Sequence, residues 1–155
     1  MGDPTNVIAR SNWEFRVFSF LDGHNKIRGW SSETTIIGYK CKTDNRLHRY
    51  FVDLKIVLDS GRTILVEIKP AYQVAPPVKS AEKREHVFIR ECLRYAKNTS
   101  KWEAAKRYCE TRGWEFRIWD EHVLEKFGIK GIVPVKKSKY RRVPNTVKKP
   151  KSTPK

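Results

Sequence analysis

Between residues 11 and 22 the apolar side chains of Trp13, Val17, Phe20 and Leu21 recur at helical spacing, with Phe18 beside them, and this spacing predicts a first helix. Ser11 followed by Glu14 fits a capping box, in which hydroxyl and carboxylate satisfy free N–H groups at the helix start. Past Gly23 and Gly29 the pattern changes. Residues 34–39, 50–58 and 63–68 are β-branched and aromatic runs and read as three strands of one sheet. Pro70, Pro76 and Pro77 make 71–79 a loop. Residues 86–97 then read as a helix, and a further helix begins at Ser100, where Ser100 and Glu103 repeat the capping-box pattern, and ends at Gly113. The alternation over 114–119 predicts a strand, and 122–127 a short last helix. This order gives a mixed α/β domain without internal repeats.

The length, 155 residues with 39% apolar, suits one compact domain, read as residues 1–134. Charge distinguishes the rest. Lys and Arg number 33 against 17 Asp and Glu, and residues 135–155 hold nine Lys or Arg and no acid, interspersed with Pro144, Pro150 and Pro154. That stretch reads as a disordered basic tail able to neutralise phosphates without reading sequence; a solubilising end or a segment docking on an acidic protein surface is the alternative. No run of about 18 uncharged apolar residues is present, and the start of the chain lacks a signal-peptide layout, so the expectation is a protein that stays in the cytoplasm where it is made. Cys41, Cys92 and Cys109 show no C-x-x-C or Cys/His ligand spacing and read as free packing thiols. His24, His48, His86 and His122 are equally scattered.

The sharpest chemical signal is the segment 50–70, YFVDLKIVLDSGRTILVEIKP. Each predicted strand carries one acid within an apolar run, Asp53 and Glu67, and period-two geometry puts Lys69 on the face of Glu67. The turn decides whether Asp53 shares that face. A three-residue loop, Asp59-Ser60-Gly61, with Gly in the left-handed position, sets Asp53 opposite Glu67 and Phe51 opposite Lys69. A two-residue loop, Ser60-Gly61, would put Asp53 opposite Ile68 instead. In the first register two like charges face one another, an arrangement that calls for a cation between them. A hard divalent ion held by carboxylates answers that need. The bland alternative is two solvated acids on an open sheet face. Against it stand the apolar neighbours on both strands, which suggest burial on both faces.

Glu14 is a third acid, and its position allows it to be either the capping partner of Ser11 or a member of the same site. Glu33, before a strand, is a reserve candidate or a surface turn residue. Lys79, Lys83, Arg84, Arg90 and Arg94 could follow a DNA backbone or form a solvated helix face. Trp13, Trp102, Trp114 and Trp119 follow helix and strand periods and are assigned to the core.

Glu14 on an early helix, Val52-Asp53 and the E-I-K of residues 67–69 resemble the PD-(D/E)xK nuclease superfamily, with Val52 where the superfamily name has Pro. More narrowly, R-S-N-W-E (10–14), W-S-S-E (30–33), R-Y-F-V-D (49–53), E-I-K-P (67–70), A-P-P-V-K (75–79), N-T-S-K-W-E-A-A (98–105) and G-W-E-F-R-I (113–118) resemble the head-completion nucleases of tailed bacteriophages, a family similar to the TnsA-like transposon endonucleases. The resemblance covers about residues 9–131. It implies a restriction-endonuclease-like core, a mixed central β-sheet flanked by helices, and a Mg²⁺-dependent endodeoxyribonuclease, with Mn²⁺ as substitute. Glu14, Asp53, Glu67 and Lys69 would be the catalytic residues, with Asp53, Glu67 and Glu14 on the metal. It further implies double-stranded DNA as substrate, portal or head proteins as partners, no membrane, and action in the host cytoplasm or on the virion. One active site per chain means that cutting both strands takes a homodimer or two encounters. A non-catalytic DNA- or portal-binding head-completion protein is the competing reading, and a host restriction or repair nuclease would share the site.

Overall fold

The computed structural model describes residues 12–132. The capping role of Ser11, the domain edge at 134 and the basic tail lie outside those residues. The chain runs α1 (Asn12–Gly23), β1 (Ile27–Ser32), β2 (Ile36–Lys40), β3 (Leu47–Phe51), β4 (Leu54–Leu58), β5 (Thr63–Ile68), α2 (Ala71–Val74), α3 (Glu85–Glu110), β6 (Glu115–Trp119) and α4 (Glu121–Lys126). It is the expected mixed α/β architecture.

Four strands form a sheet in the order β1-β4-β5-β6, and β2 and β3 form a separate two-stranded ribbon. β4 pairs antiparallel with β1 and β5, whereas β6 runs parallel to β5. A parallel partner requires a long crossover, which α3 provides. On one face of the sheet Trp13, Val17, Phe18 and Leu21 of α1 pack against Leu54, Ile56, Ile64, Val66 and Ile68. On the other, Ala104, Ala105 and Cys109 of α3 join Leu65 and the ribbon residues Ile37, Tyr39 and Tyr50. Both faces of β5 are covered, and all six of its residues are buried, as the unbroken apolar run Ile64–Val66 suggests.

Several expectations are corrected. The run 50–58 is two strands, not one: after Phe51 the chain leaves the ribbon and enters the larger sheet. Phe51 pairs with Ile36 and not with Lys69. The reason lies in residues 33–35, far from the break in sequence: Val52 N–H donates to Thr35 O (3.0 Å) and Glu33 N–H donates to Asp53 O (3.2 Å), which clamps the crossing between sheets. The strand β1 went unread because its Gly29, Ser31 and Ser32 lack β-propensity; it is an edge strand with a register irregularity between Ile27 and Gly29. The two helices expected from 86 and 100 are one 26-residue helix. Ser100 Oγ donates to Ala96 O (2.8 Å) inside the helix, and Glu103 pairs with Lys42 Nζ (2.7 Å), so neither acts as a cap. A single helical turn, α2, also interrupts the expected loop 71–79.

Candidate active site

The register of the β4–β5 hairpin is the one given by the three-residue loop. Leu54 pairs with Val66, Ile56 with Ile64 and Val57 with Thr63. Gly61 takes φ +81°, and Leu58 N–H donates to Arg62 O (2.9 Å) to close the turn. Carried one step past Leu54, the same register sets Asp53 level with Glu67. Asp53 Oδ2 accepts the backbone N–H of Ile68 at 2.7 Å, and Oδ1 has no protein hydrogen bond among the described residues.

Glu67 is 2% exposed in the middle of the fold. A buried carboxylate needs donors, and both of its oxygens have one: Tyr50 Oη donates to Oε2 at 2.5 Å, and Lys69 Nζ lies 2.9 Å from Oε1. Lys69 is set by the end of β5. Its N–H donates to Trp119 O (3.0 Å), extending the β5–β6 ladder, and two residues on, Ala71 N–H donates to the buried Glu121 carboxylate at 2.7 Å.

Burial and the neighbouring Glu67 charge push the Asp53 carboxyl up from an ordinary 3.8 to about 7, against the opposing pull of the Ile68 N–H and Lys69; the Glu14 charge adds to the rise. Burial alone would lower the Lys69 ammonium, but Glu67 overrides it and Asp53 and Glu14 assist, so the net shift is upward. Burial and the Glu67 carboxylate it bonds likewise raise the Tyr50 phenol, which keeps it a donor. Lys101 of α3 feels the same centre: its ammonium lies 5.3 Å from the Tyr50 ring centroid, and burial holds it below its ordinary value despite the Glu67 charge.

Asp53, Glu67 and Lys69 therefore come together, and the Glu14 charge reaches both Asp53 and Lys69. Glu14 occupies the first turn of α1. Glu33 has φ +51° and touches Asp53 through its backbone, as a turn residue between β1 and β2. Among the basic candidates, Lys83 is tied to Glu91 (2.7 Å) and Val78 O, and Lys79 lies 3.7 Å from Glu85. Trp13, Trp102 and Trp119 are buried as expected, whereas Trp114 is partly exposed with Lys55 Nζ 4.5 Å from its ring centroid. Sequence reasoning missed Tyr50 and Lys101. It also missed that Cys41, Asp44 and His48 bring potential ligand atoms within 4.8 Å of one another on the β2–β3 turn. Those groups are already engaged: the Cys41 thiol with Thr43 Oγ1 (3.1 Å), and Asp44 with Arg46 N–H (3.0 Å) and His48 Nε2 (2.7 Å).

The donor set around Asp53 suits a hard divalent cation: carboxylate oxygens, one of them unoccupied by protein donors, with two carboxylates close enough that one resists ionising. The charges of three acids (Asp53, Glu67, Glu14) and two ammonium groups (Lys69, Lys101) influence one another here, which leaves a local excess of negative charge when all are ionised.

A mixed, mostly antiparallel sheet in the order β1-β4-β5-β6 with helices on both faces is a restriction-endonuclease-like architecture. The chain belongs to the TnsA-like endonuclease family, whose N-terminal domain model matches residues 24–121. It is also 40% identical over 136 residues to the head completion nuclease of Enterobacteria phage T4, a match spanning 84% of this chain and 89% of the phage protein. No solved structure matches the chain. The expected nuclease fold and nuclease class are thereby borne out.

Proposed function

We propose that the chain is a Mg²⁺-dependent endonuclease that hydrolyses phosphodiester bonds of double-stranded DNA, acting on DNA ends as a phage head is completed. The observation that carries this reading is the joint placement of Asp53, Glu67 and Lys69 at one end of β4 and β5, in a strongly basic chain homologous to a head completion nuclease. Asp53, Glu67 and Glu14 would hold the cation, with Mn²⁺ as a substitute. When bound, the cation supplies Lewis-acid polarisation of the phosphate and a water of lowered pKa.

The remaining work falls to the chain. Asp53 is fixed through Oδ2 by the Ile68 amide, and its carboxylate would be one of the cation's ligands. Tyr50 and Lys69 hold the two oxygens of Glu67 in a buried setting. Lys69 shifts its charge from Glu67 toward the attacked phosphate, where it stabilises the negative charge that builds in the transition state. No helix among the described residues is long and apolar enough to cross a membrane; the working place proposed is the host cytoplasm or the virion, beside portal or head proteins. Two chains acting together as a homodimer would cut both strands. Asp53→Ala, Glu67→Ala and Lys69→Ala should each abolish Mg²⁺-dependent nicking of plasmid DNA while leaving the far-ultraviolet circular dichroism unchanged. Absence of cleavage by the wild-type protein on every DNA form, with Mg²⁺ or Mn²⁺, would leave a DNA- or portal-binding role in its place.

A further inference from the structure

The sheet-facing side of α3 changes character along its length. At its C-terminal half that side is small and apolar, with Ala104, Ala105 and Cys109 packed on Leu65. At 3.6 residues per turn, Lys101, Lys97, Arg94 and Arg90 fall on the same side as Ala104 and Ala105, spaced as i, i+4, i+7 and i+11 from Arg90, a row about 16 Å long. The apolar seam thus continues as a row of four cations that ends at the acids. Among the described residues none of the four is in an ion pair, although α3 carries acids: Glu91 and Glu103 hold Lys83 and Lys42, and Glu85 lies near Lys79. One turn from Lys101, Asn98 is 6% exposed, and its buried Nδ2 has no hydrogen-bond partner. Four cations along one side of a helix, the last of them against the ring of the tyrosine that bonds Glu67, do not stabilise the folded chain by themselves. They fit an extended polyanion entering the site.

We propose that Arg90, Arg94, Lys97 and Lys101 form a track for the phosphates of one DNA strand, with Lys101 contacting the scissile phosphate at its end. This deepens the nuclease reading and rests on it. Lys69 is held 2.9 Å from Glu67, whereas Lys101, against the Tyr50 ring, is in no ion pair among the described residues. The two lysines have separate roles. Lys101 grips the phosphate before attack, and Lys69 answers the charge that develops during it.

The test uses the full-length protein and a fluorescent DNA duplex, with binding followed by anisotropy over a salt series in the absence of divalent metal. The triple variant Arg90→Gln/Arg94→Gln/Lys97→Gln should flatten the dependence of log affinity on log salt by about 0.9 for each phosphate no longer neutralised. Lys106→Gln/Arg107→Gln, on the outer side of the same helix, should leave the slope as in wild type. In single-turnover cleavage with Mg²⁺, Lys101→Gln should lose about 100-fold in rate, with part restored in Lys101→Arg. Equal slopes for the triple variant and the outer control, or wild-type cleavage by Lys101→Gln, overturn the track. If the wild-type protein does not cleave, the nuclease reading falls while the salt slopes still decide whether the row binds DNA. If Lys101→Gln does not fold, the salt slope of the triple variant, whose three positions are exposed, decides for or against the track.

Discussion

Tyr50 and Glu67 come from different sheets, yet the phenol donates a 2.5 Å hydrogen bond to the carboxylate and both side chains are almost fully buried. The bond joins the ribbon to the central strand at the candidate metal ligand. Tyr50→Phe removes a hydrogen-bond donor from a buried carboxyl group, at a cost of about 1–3 kcal/mol. The expected result is a lower midpoint in urea unfolding together with at least a tenfold loss of cleavage rate. Unchanged cleavage in a destabilised variant would restrict the bond to structure.

Asp53 gives the metal-free protein a pH dependence of definite sign. Its carboxyl is raised to about 7 in the fold from 3.8, so between those values the folded chain keeps a proton that the unfolded chain has released. Stability is highest below about pH 4 for this group and declines as pH climbs through 7, by up to about 4 kcal/mol in all. Asp53→Asn should flatten that decline and exceed wild type in melting temperature at pH 8. Identical melting profiles for the two proteins across pH 4–8 would contradict the assignment.

The same proton competes with a cation. Mg²⁺ affinity should fall as pH drops below about 7, approaching tenfold per unit, and binding at pH 6 should release a proton. Calorimetry in two buffers of different ionisation enthalpy measures that release directly. Cys41→Ser should leave Mg²⁺ binding and cleavage untouched, because a hard ion prefers the carboxylate oxygens near Asp53 to a thiol on the ribbon turn.

Glu14 and Glu33 can be separated as third acid. The Glu14 charge reaches Asp53 and Lys69, while Glu33 meets Asp53 by a backbone bond and holds φ +51°. Glu14→Gln is expected to slow cleavage by about 100-fold, within the range for removing one charged group from a reacting centre. Glu33→Gly should relieve the turn, raise the melting temperature and keep activity. The reverse pattern in the two rates would exchange their roles.

Gly61→Ala tests the hairpin itself. Space is open around a Cβ at that position, but φ is +81°, so the cost is conformational, about 1 kcal/mol. Denaturant unfolding should show that loss while the cleavage rate of the folded protein stays at the wild-type value.

The turn is also where the sequence was most informative. Asp59-Ser60-Gly61 has its Gly at the one position needing positive φ, and from that alone the pairing of the two strands, and the level of Asp53 with Glu67, could be counted out. Local pattern also sufficed for β5, whose apolar run reports burial on both faces. It failed where the determining partner was distant. The break after Phe51 depends on residues 33–35 clamping Val52 and Asp53, and no propensity records it. Ser100 and Glu103 look like a helix start, but a hydroxyl can bond back to its own helix equally well, and only Lys42 across the fold reveals which occurs. Tyr50 and Lys101 were invisible for the same reason: one reads as an ordinary strand aromatic, the other as one lysine among many, until the fold sets them around Glu67.

The chain changes sheets between Phe51 and Leu54, and Asp53 lies within that crossing. That acid is therefore anchored from three directions: its carbonyl by the Glu33 amide, its neighbour Val52 by the Thr35 carbonyl, and its carboxylate by the Ile68 amide of the adjoining strand.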